Sequence, residues 1–173
     1  MSSAKNSPAM MTVLDQVFSL LANNNDRAAA LDFDTDTKLA WLFGRAAGVP
    51  NSMGPEKRAL AVRSTACAAV AWLEALHLSQ MDIVERIANE RLRQRQLFAA
   101  RKLPFTVTSP VVGWPRKFRV LAEEIGEVAE AIDLLEASPR SKPAKKHFVD
   151  ELIQVAAVLV AWLEGLEVSN ARA

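Results

Sequence analysis

Helical periodicity along almost the whole chain is the feature that most limits its fold. Apolar residues recur at spacings of three and four, Ala, Leu, Glu and Arg dominate, and strand-like alternation is scarce. Helix breakers fall at residues 23–26, 48–55, 103–115 and 138–143. Between them the sequence predicts an all-α helical bundle of six main helices, over residues 10–22, 37–47, 56–78, 81–101, 116–137 and 144–168.

Composition and charge argue against several classes of function. The formal net charge of +1 gives no basic or acidic excess, so neither a nucleic-acid nor a membrane partner is expected. The longest apolar run, residues 155–163, is far shorter than the ~20 residues that cross a bilayer. The single cysteine, Cys67, excludes an internal disulfide, and its apolar setting predicts a buried hydrophobic residue. We therefore expect a cytoplasmic protein in a reducing compartment.

The order of the helices repeats along the chain. Residues 66–76, ACAAVAWLEAL, align with residues 156–166, AAVLVAWLEGL, and residues 38–49 align with residues 120–131. The shared WLE and helix order favour duplication, although chance similarity between Ala- and Leu-rich helices is the alternative. The repeat predicts two tandem homologous halves in a pseudo-twofold arrangement.

The two halves, residues 1–80 and 81–173, differ in their acidic residues. The second half places carboxylates at four positions: Glu123, Glu124, Glu127 and Glu151. The aligned positions of the first half hold no acid: Trp41, Leu42, Arg45 and Ala61. Any function that depends on these carboxylates is therefore expected in the second half.

The segment FRVLAEEIGEVAEAIDLLE, residues 118–136, carries six carboxylates with no Lys or Arg after its second residue. Like charges one helical turn apart repel each other, so this crowding has a cost. Three of the acids follow one flank of the helix, beside its apolar stripe: Glu123, Glu124 and Glu127. The outer three are expected to be ordinary solvated charges: Glu130, Asp133 and Glu136.

Glu151 projects from the centre of an apolar helix face in HFVDELIQVAAVLVAWLE. An ionised carboxylate buried there must be protonated, paired with a base or bound to a cation. If this helix packs on the acidic helix, Glu151 meets the three flank acids, and hard oxygen ligands favour Mg²⁺ or Mn²⁺. The alternative is a solvated acidic face with Glu151 paired to an Arg or Lys.

At these residues the chain resembles the MazG-like family of all-α nucleoside triphosphate pyrophosphohydrolases. The family is marked by E-E-x-x-E on one helix and E-x-x-D on the next. The first motif is present as Glu123-Glu124-Ile125-Gly126-Glu127. The second begins at Glu151 and has Gln154 in place of Asp. The resemblance covers roughly residues 81–168, and it makes the first half a degenerate copy without the acidic site.

The resemblance implies Mg²⁺-dependent (or Mn²⁺-dependent) hydrolysis of an NTP or dNTP between its α- and β-phosphates. It also implies a set of metal ligands, of which Glu123 and Glu124 are also catalytic: Glu123, Glu124, Glu127, Glu151 and Gln154. A second hypothesis is a catalytically weak or inactive helical protein of the same fold that binds nucleotides or assembles with partners. Gln154 favours it, because an amide carries no charge and cannot take a proton. Self-association into a homo-oligomer is compatible with both hypotheses.

Phosphate contacts are expected from basic residues near the acidic site: Arg91, Arg95, Lys117 and Lys146. For each of them, ordinary surface charge is the alternative. The loop before the acidic helix supplies Phe105 or Trp114 as a cover for a nucleobase, and Trp114 could equally cover the core.

Overall fold

A computed structural model describes residues 7–23 and 26–170, with side chains described for all of these except 29 and 168–170. Within those ranges the only regular secondary structure is helical, which confirms the predicted all-α class. The described residues form seven helices: α1 (Pro8–Ala22), α2 (Asp26–Asp32), α3 (Thr35–Asn51), α4 (Pro55–Ala75), α5 (Gln80–Ala99), α6 (Trp114–Ala137) and α7 (Lys142–Asn170).

The short helix α2 is the one element that the periodicity did not predict. It has seven residues, too few to show an apolar repeat, and it follows an Asn-rich segment that indicates a breaker. Tertiary contacts stabilise it: Ala30 is fully buried, and Asp26 accepts a hydrogen bond from Arg45 at 2.8 Å. The other six helices match the predicted ones to within a few residues at each end.

Helix α7 lies at the centre of the bundle and packs against α1, α4, α5 and α6. Residues 155–163 are all buried, so the longest apolar run of the sequence forms the middle of the core. The aligned tryptophans, Trp72 and Trp162, are both buried, as expected for core residues. No helix among residues 7–23 and 26–170 is apolar over a stretch long enough to cross a membrane.

The pairing of α6 with α7 is the most extensive helix contact in the bundle. The predicted apolar stripe of α6 is buried against it at Leu121, Ile125, Val128 and Ile132. Helix α5 also packs against α7 and begins with a capping box between Ser79 and Asp82. The same pairing brings Glu124 and Glu127 of α6 close to Glu151 in the first half of α7.

Candidate metal centre

Three carboxylates from two helices converge where α6 packs on α7. One oxygen from each of Glu124, Glu127 and Glu151 lies within 4.8 Å of the other two. Glu127 is exposed, Glu124 is half-buried and Glu151 is buried, so the group reaches from the surface into the helix interface. The expected convergence of α6 and α7 carboxylates is therefore present for three of the four predicted acids.

Burial and mutual repulsion make this cluster electrostatically unfavourable. Glu124 Oε2 is buried and has no hydrogen-bond partner in the described structure. Burial, followed by the charges of Glu127 and Glu151, raises the pKa of Glu124 to about 7. Burial and the neighbouring Glu127 also raise the pKa of Glu151, against the opposing effect of His147. A proton or a bound cation would therefore relieve the repulsion within this cluster.

Glu123 and Gln154, also predicted as ligands, lie beside the three convergent acids. Glu123 is exposed and lines the cavity next to Glu124. The Gln154 amide nitrogen donates a hydrogen bond to Glu151 Oε2. The Gln154 oxygen accepts a hydrogen bond from Arg93 at 3.2 Å. Gln154 therefore orients the Glu151 carboxylate and connects it to α5.

Sequence reasoning missed three residues next to the carboxylates: Glu90, Arg93 and His147. Arg93 binds both oxygens of Glu90, at 2.6 and 2.7 Å, and this interaction is the main cause that raises the pKa of Arg93. His147 Nδ1 lies 3.2 Å from Glu151 Oε1. The spacing of His147 four residues before Glu151, and of Glu90 three before Arg93, was the signal available in the sequence.

The predicted phosphate contacts are held in other interactions or lie apart from the cluster. Arg91 is 2% exposed and donates to Glu164 at 2.8 Å, and Arg95 lies 3.6 Å from the same residue. Lys146 is exposed and pairs with Asp150. Lys117 is buried in the first turn of α6, and that burial lowers its pKa. Arg91 lines the same cavity as Glu124 and Glu127.

Two cavities meet at the acidic cluster. The loop cavity, about 330 Å³ in volume, lies between α5, α6 and residues 103–107, and Glu124 and Glu127 line it. The α5–α7 cavity, about 540 Å³ in volume, contains Glu151 in its lining. Arg93 lines both cavities. The three carboxylates therefore lie at the junction between them.

The two aromatic residues predicted to cover a base occupy different places. Phe105 lines the loop cavity, and the Arg116 guanidinium lies 4.3 Å from the centre of its ring. Trp114 packs against the core, and the Arg58 guanidinium lies 4.5 Å from the centre of its ring. The outer acids Glu130, Asp133 and Glu136 are exposed, as expected for solvated charges. Phe105 is thus the aromatic residue available to a ligand beside the cluster.

Comparisons with protein-family models, with characterised proteins and with solved structures give no match to this chain. The function is therefore inferred from the residues and their geometry.

Proposed function

We propose that this protein is a Mg²⁺-dependent nucleoside triphosphate pyrophosphohydrolase with a MazG-like fold. The observation that carries the proposal is the convergence of Glu124, Glu127 and Glu151, with one Glu124 oxygen buried and unpartnered. A solvated acidic face would leave its carboxylates apart and exposed. The E-E-x-x-E pattern of α6 and the position of Glu151 on the next helix add support from the sequence.

The residues present fit a hard divalent cation. All three convergent groups are carboxylates, the ligand type that Mg²⁺ and Mn²⁺ prefer. A cation would supply the missing partner of Glu124 Oε2 and offset the repulsion that raises the pKa of Glu124. Glu124, Glu127 and Glu151 would hold the ion, and Gln154 would fix the orientation of Glu151. When bound, the ion neutralises phosphate charge and lowers the pKa of a water molecule.

The proposed reaction assigns a role to the acids around the cavities. A water molecule attacks the α-phosphorus of the triphosphate, and the bond between that phosphorus and the α–β bridging oxygen breaks. Glu123, which lines the loop cavity outside the convergent group, accepts the proton of the attacking water. The products are a nucleoside monophosphate and pyrophosphate. Glu124, the second residue of the predicted catalytic pair, would help to hold the divalent ion that orients the phosphates.

The internal ion pairs of the first half support the proposed duplication. When residues 38–49 are aligned with 120–131, Arg45 takes the place of Glu127. Its guanidinium donates to Asp26 and to Ser64, and Ser64 aligns with Gln154 when residues 66–76 are placed over 156–166. In the first half, the hydrogen-bonded Arg45 guanidinium thus occupies the position that corresponds to the acidic cluster. This arrangement favours one site per chain, carried by residues 81–173, in a pair of homologous halves.

The rival hypothesis is a nucleotide-binding or assembly protein of the same fold without turnover. The hydrogen bond from Gln154 to Glu151 is the observation that favours it, because the family has a carboxylate at that position. The two hypotheses share the fold, and they differ in whether pyrophosphate is released.

The test is to incubate the protein with each NTP and dNTP in Mg²⁺ or Mn²⁺ and to measure pyrophosphate. Wild type is expected to release it, Glu124→Gln to abolish release, and Glu130→Gln, an exposed acid of the same helix, to leave it unchanged. No release by wild type from any nucleotide, together with measurable nucleotide binding, would favour the rival. Equal activity of Glu124→Gln and wild type would refute the proposed site.

A further inference from the structure

The two cavities that meet at the acidic cluster have different linings. Apolar side chains from three helices and the connecting loop dominate the loop cavity: Leu97, Leu103, Phe105, Val120 and Val158. The α5–α7 cavity has one apolar residue, Ile153, in its lining, and its other residues are polar or charged. The difference follows from the fold, since the loop after α5 covers only the first cavity.

A nucleoside triphosphate has the same asymmetry along its length. The base and sugar need an apolar or aromatic surface with a few polar contacts, and pockets of roughly 300–1,000 Å³ are usual for such groups. The triphosphate needs cations and hydrogen-bond donors. The bond cleaved in the proposed reaction lies between these two parts, and the carboxylates lie between the two cavities.

We infer that the nucleoside part of the substrate binds in the loop cavity and the departing pyrophosphate part in the α5–α7 cavity, with the α-phosphate at the carboxylates. The inference rests on the proposed function and adds the orientation of the substrate. Phe105 provides the aromatic surface for the base, and Thr106, whose hydroxyl lies 3.0 Å from that of Thr108, provides a polar contact nearby.

The existing ion pairs determine which basic side chains are free to bind the pyrophosphate part of the substrate. Arg91 is buried against Glu164, and both Arg93 nitrogens nearest Glu90 are engaged. Arg86 is exposed in the α5–α7 cavity and forms no salt bridge with the described residues. Arg86 is therefore the phosphate contact, in place of the predicted Arg91 and Arg95.

The acids that line the α5–α7 cavity do not cancel this attraction. Glu90 is paired with Arg93, Asp150 is paired with Lys146, and Glu151 belongs to the cation-binding group. With a divalent ion bound, the Arg86 guanidinium and the ion would both attract the pyrophosphate part of the substrate in this cavity.

Isothermal titration calorimetry in Mn²⁺ tests the orientation with the two products as separate probes. The first probe is inorganic pyrophosphate, and the second is each of AMP, CMP, GMP and UMP. Arg86→Ala is expected to weaken pyrophosphate binding about tenfold, through loss of a charge-assisted hydrogen bond, and to leave monophosphate binding unchanged. Leu97→Trp, which fills the loop cavity, is expected to weaken monophosphate binding at least about tenfold and to leave pyrophosphate binding unchanged.

Matched variants on exposed positions provide the controls. Arg140→Ala and Leu134→Trp change the same residue types outside both cavities and are expected to bind both probes like wild type. Val120→Phe, at a half-buried position of the loop cavity, replaces Leu97→Trp if thermal melting shows that the latter does not fold.

The outcomes separate the orientation from the proposed function. The orientation would be overturned if Arg86→Ala weakened monophosphate binding or if Leu97→Trp weakened pyrophosphate binding. This would hold even if wild type hydrolyses triphosphates. Absence of any effect from either variant would do the same. If wild type releases no pyrophosphate from any triphosphate, the proposed function fails, and the two product probes still report which cavity each part occupies.

Discussion

Replacement of Glu124 by Gln is expected to stabilise the metal-free protein while removing its metal site. The pKa of Glu124 is raised from 4.5 to about 7, chiefly because burial disfavours the charged form. Since the folded protein binds this proton more tightly than the unfolded chain, the free energy of unfolding falls as the pH rises through this window. The loss amounts to about 3 kcal/mol at pH 8, and it is absent well below pH 4.5.

A Gln at this position is neutral at every pH, so it avoids that loss. In EDTA at pH 8, Glu124→Gln is expected to melt about 6–12 °C above wild type, at 2–4 °C per kcal/mol for a chain of this size. At pH 5 the gap is expected to shrink to less than about 1 kcal/mol, because the folded wild type then carries the proton. Added Mg²⁺ at about 100 times its dissociation constant stabilises wild type by about 2.7 kcal/mol and leaves the variant unchanged.

The assay is thermal melting by circular dichroism at pH 5 and pH 8, each with EDTA and with Mg²⁺. Glu130→Gln is the matched control, because it removes an exposed acid from the same helix. A Glu124→Gln variant that melts at or below wild type in EDTA at pH 8 would refute the reasoning. It would mean that the ionised Glu124 carboxylate is not costly in the folded protein.

Three further predictions concern the surroundings of the cluster. Gly165→Ala places a Cβ 2.7 Å from the Thr108 backbone oxygen and is therefore expected to displace the loop before α6. The expected result is a KM raised several-fold, with the Mn²⁺ affinity unchanged in calorimetry. Gly126→Ala, which has open space around its Cβ, is the control. Gln154→Asp is expected to raise Mn²⁺ affinity about tenfold and to lower the melting temperature in EDTA, and unchanged affinity would show that this position does not influence the ion. Arg91→Met leaves Glu164 buried without its main partner, so the free energy of unfolding measured in urea is expected to fall by about 3 kcal/mol. Weaker nucleotide binding at unchanged stability would instead make Arg91 a substrate contact.

The spacing of apolar residues was sufficient to predict the all-α class and the positions of most helices, because each long helix buries an apolar stripe that repeats in the sequence. It was insufficient for α2, whose seven residues depend on packing against α4 and on the pairing of Asp26 with Arg45. The same limit applies to any element too short to show a period.

The candidate site was predictable where its residues are constrained along one helix. The flank of α6 and the apolar surroundings of Glu151 indicated that Glu124, Glu127 and Glu151 converge. The long-range partners of Arg91 and Gln154 were not predictable, because they come from helices distant in sequence, α7 for Arg91 and α5 for Gln154. Which cations remain available to a ligand therefore depends on tertiary pairing that spacing along the chain does not encode.

The most direct test of a metal centre at the α6–α7 contact is anomalous X-ray scattering from crystals soaked in Mn²⁺. We expect a peak about 2.1 Å from oxygens of Glu124, Glu127 and Glu151, and we expect it to be lost in Glu124→Gln crystals. Crystals with no peak at these oxygens, or with the Arg93 guanidinium lying between the three carboxylates, would contradict it.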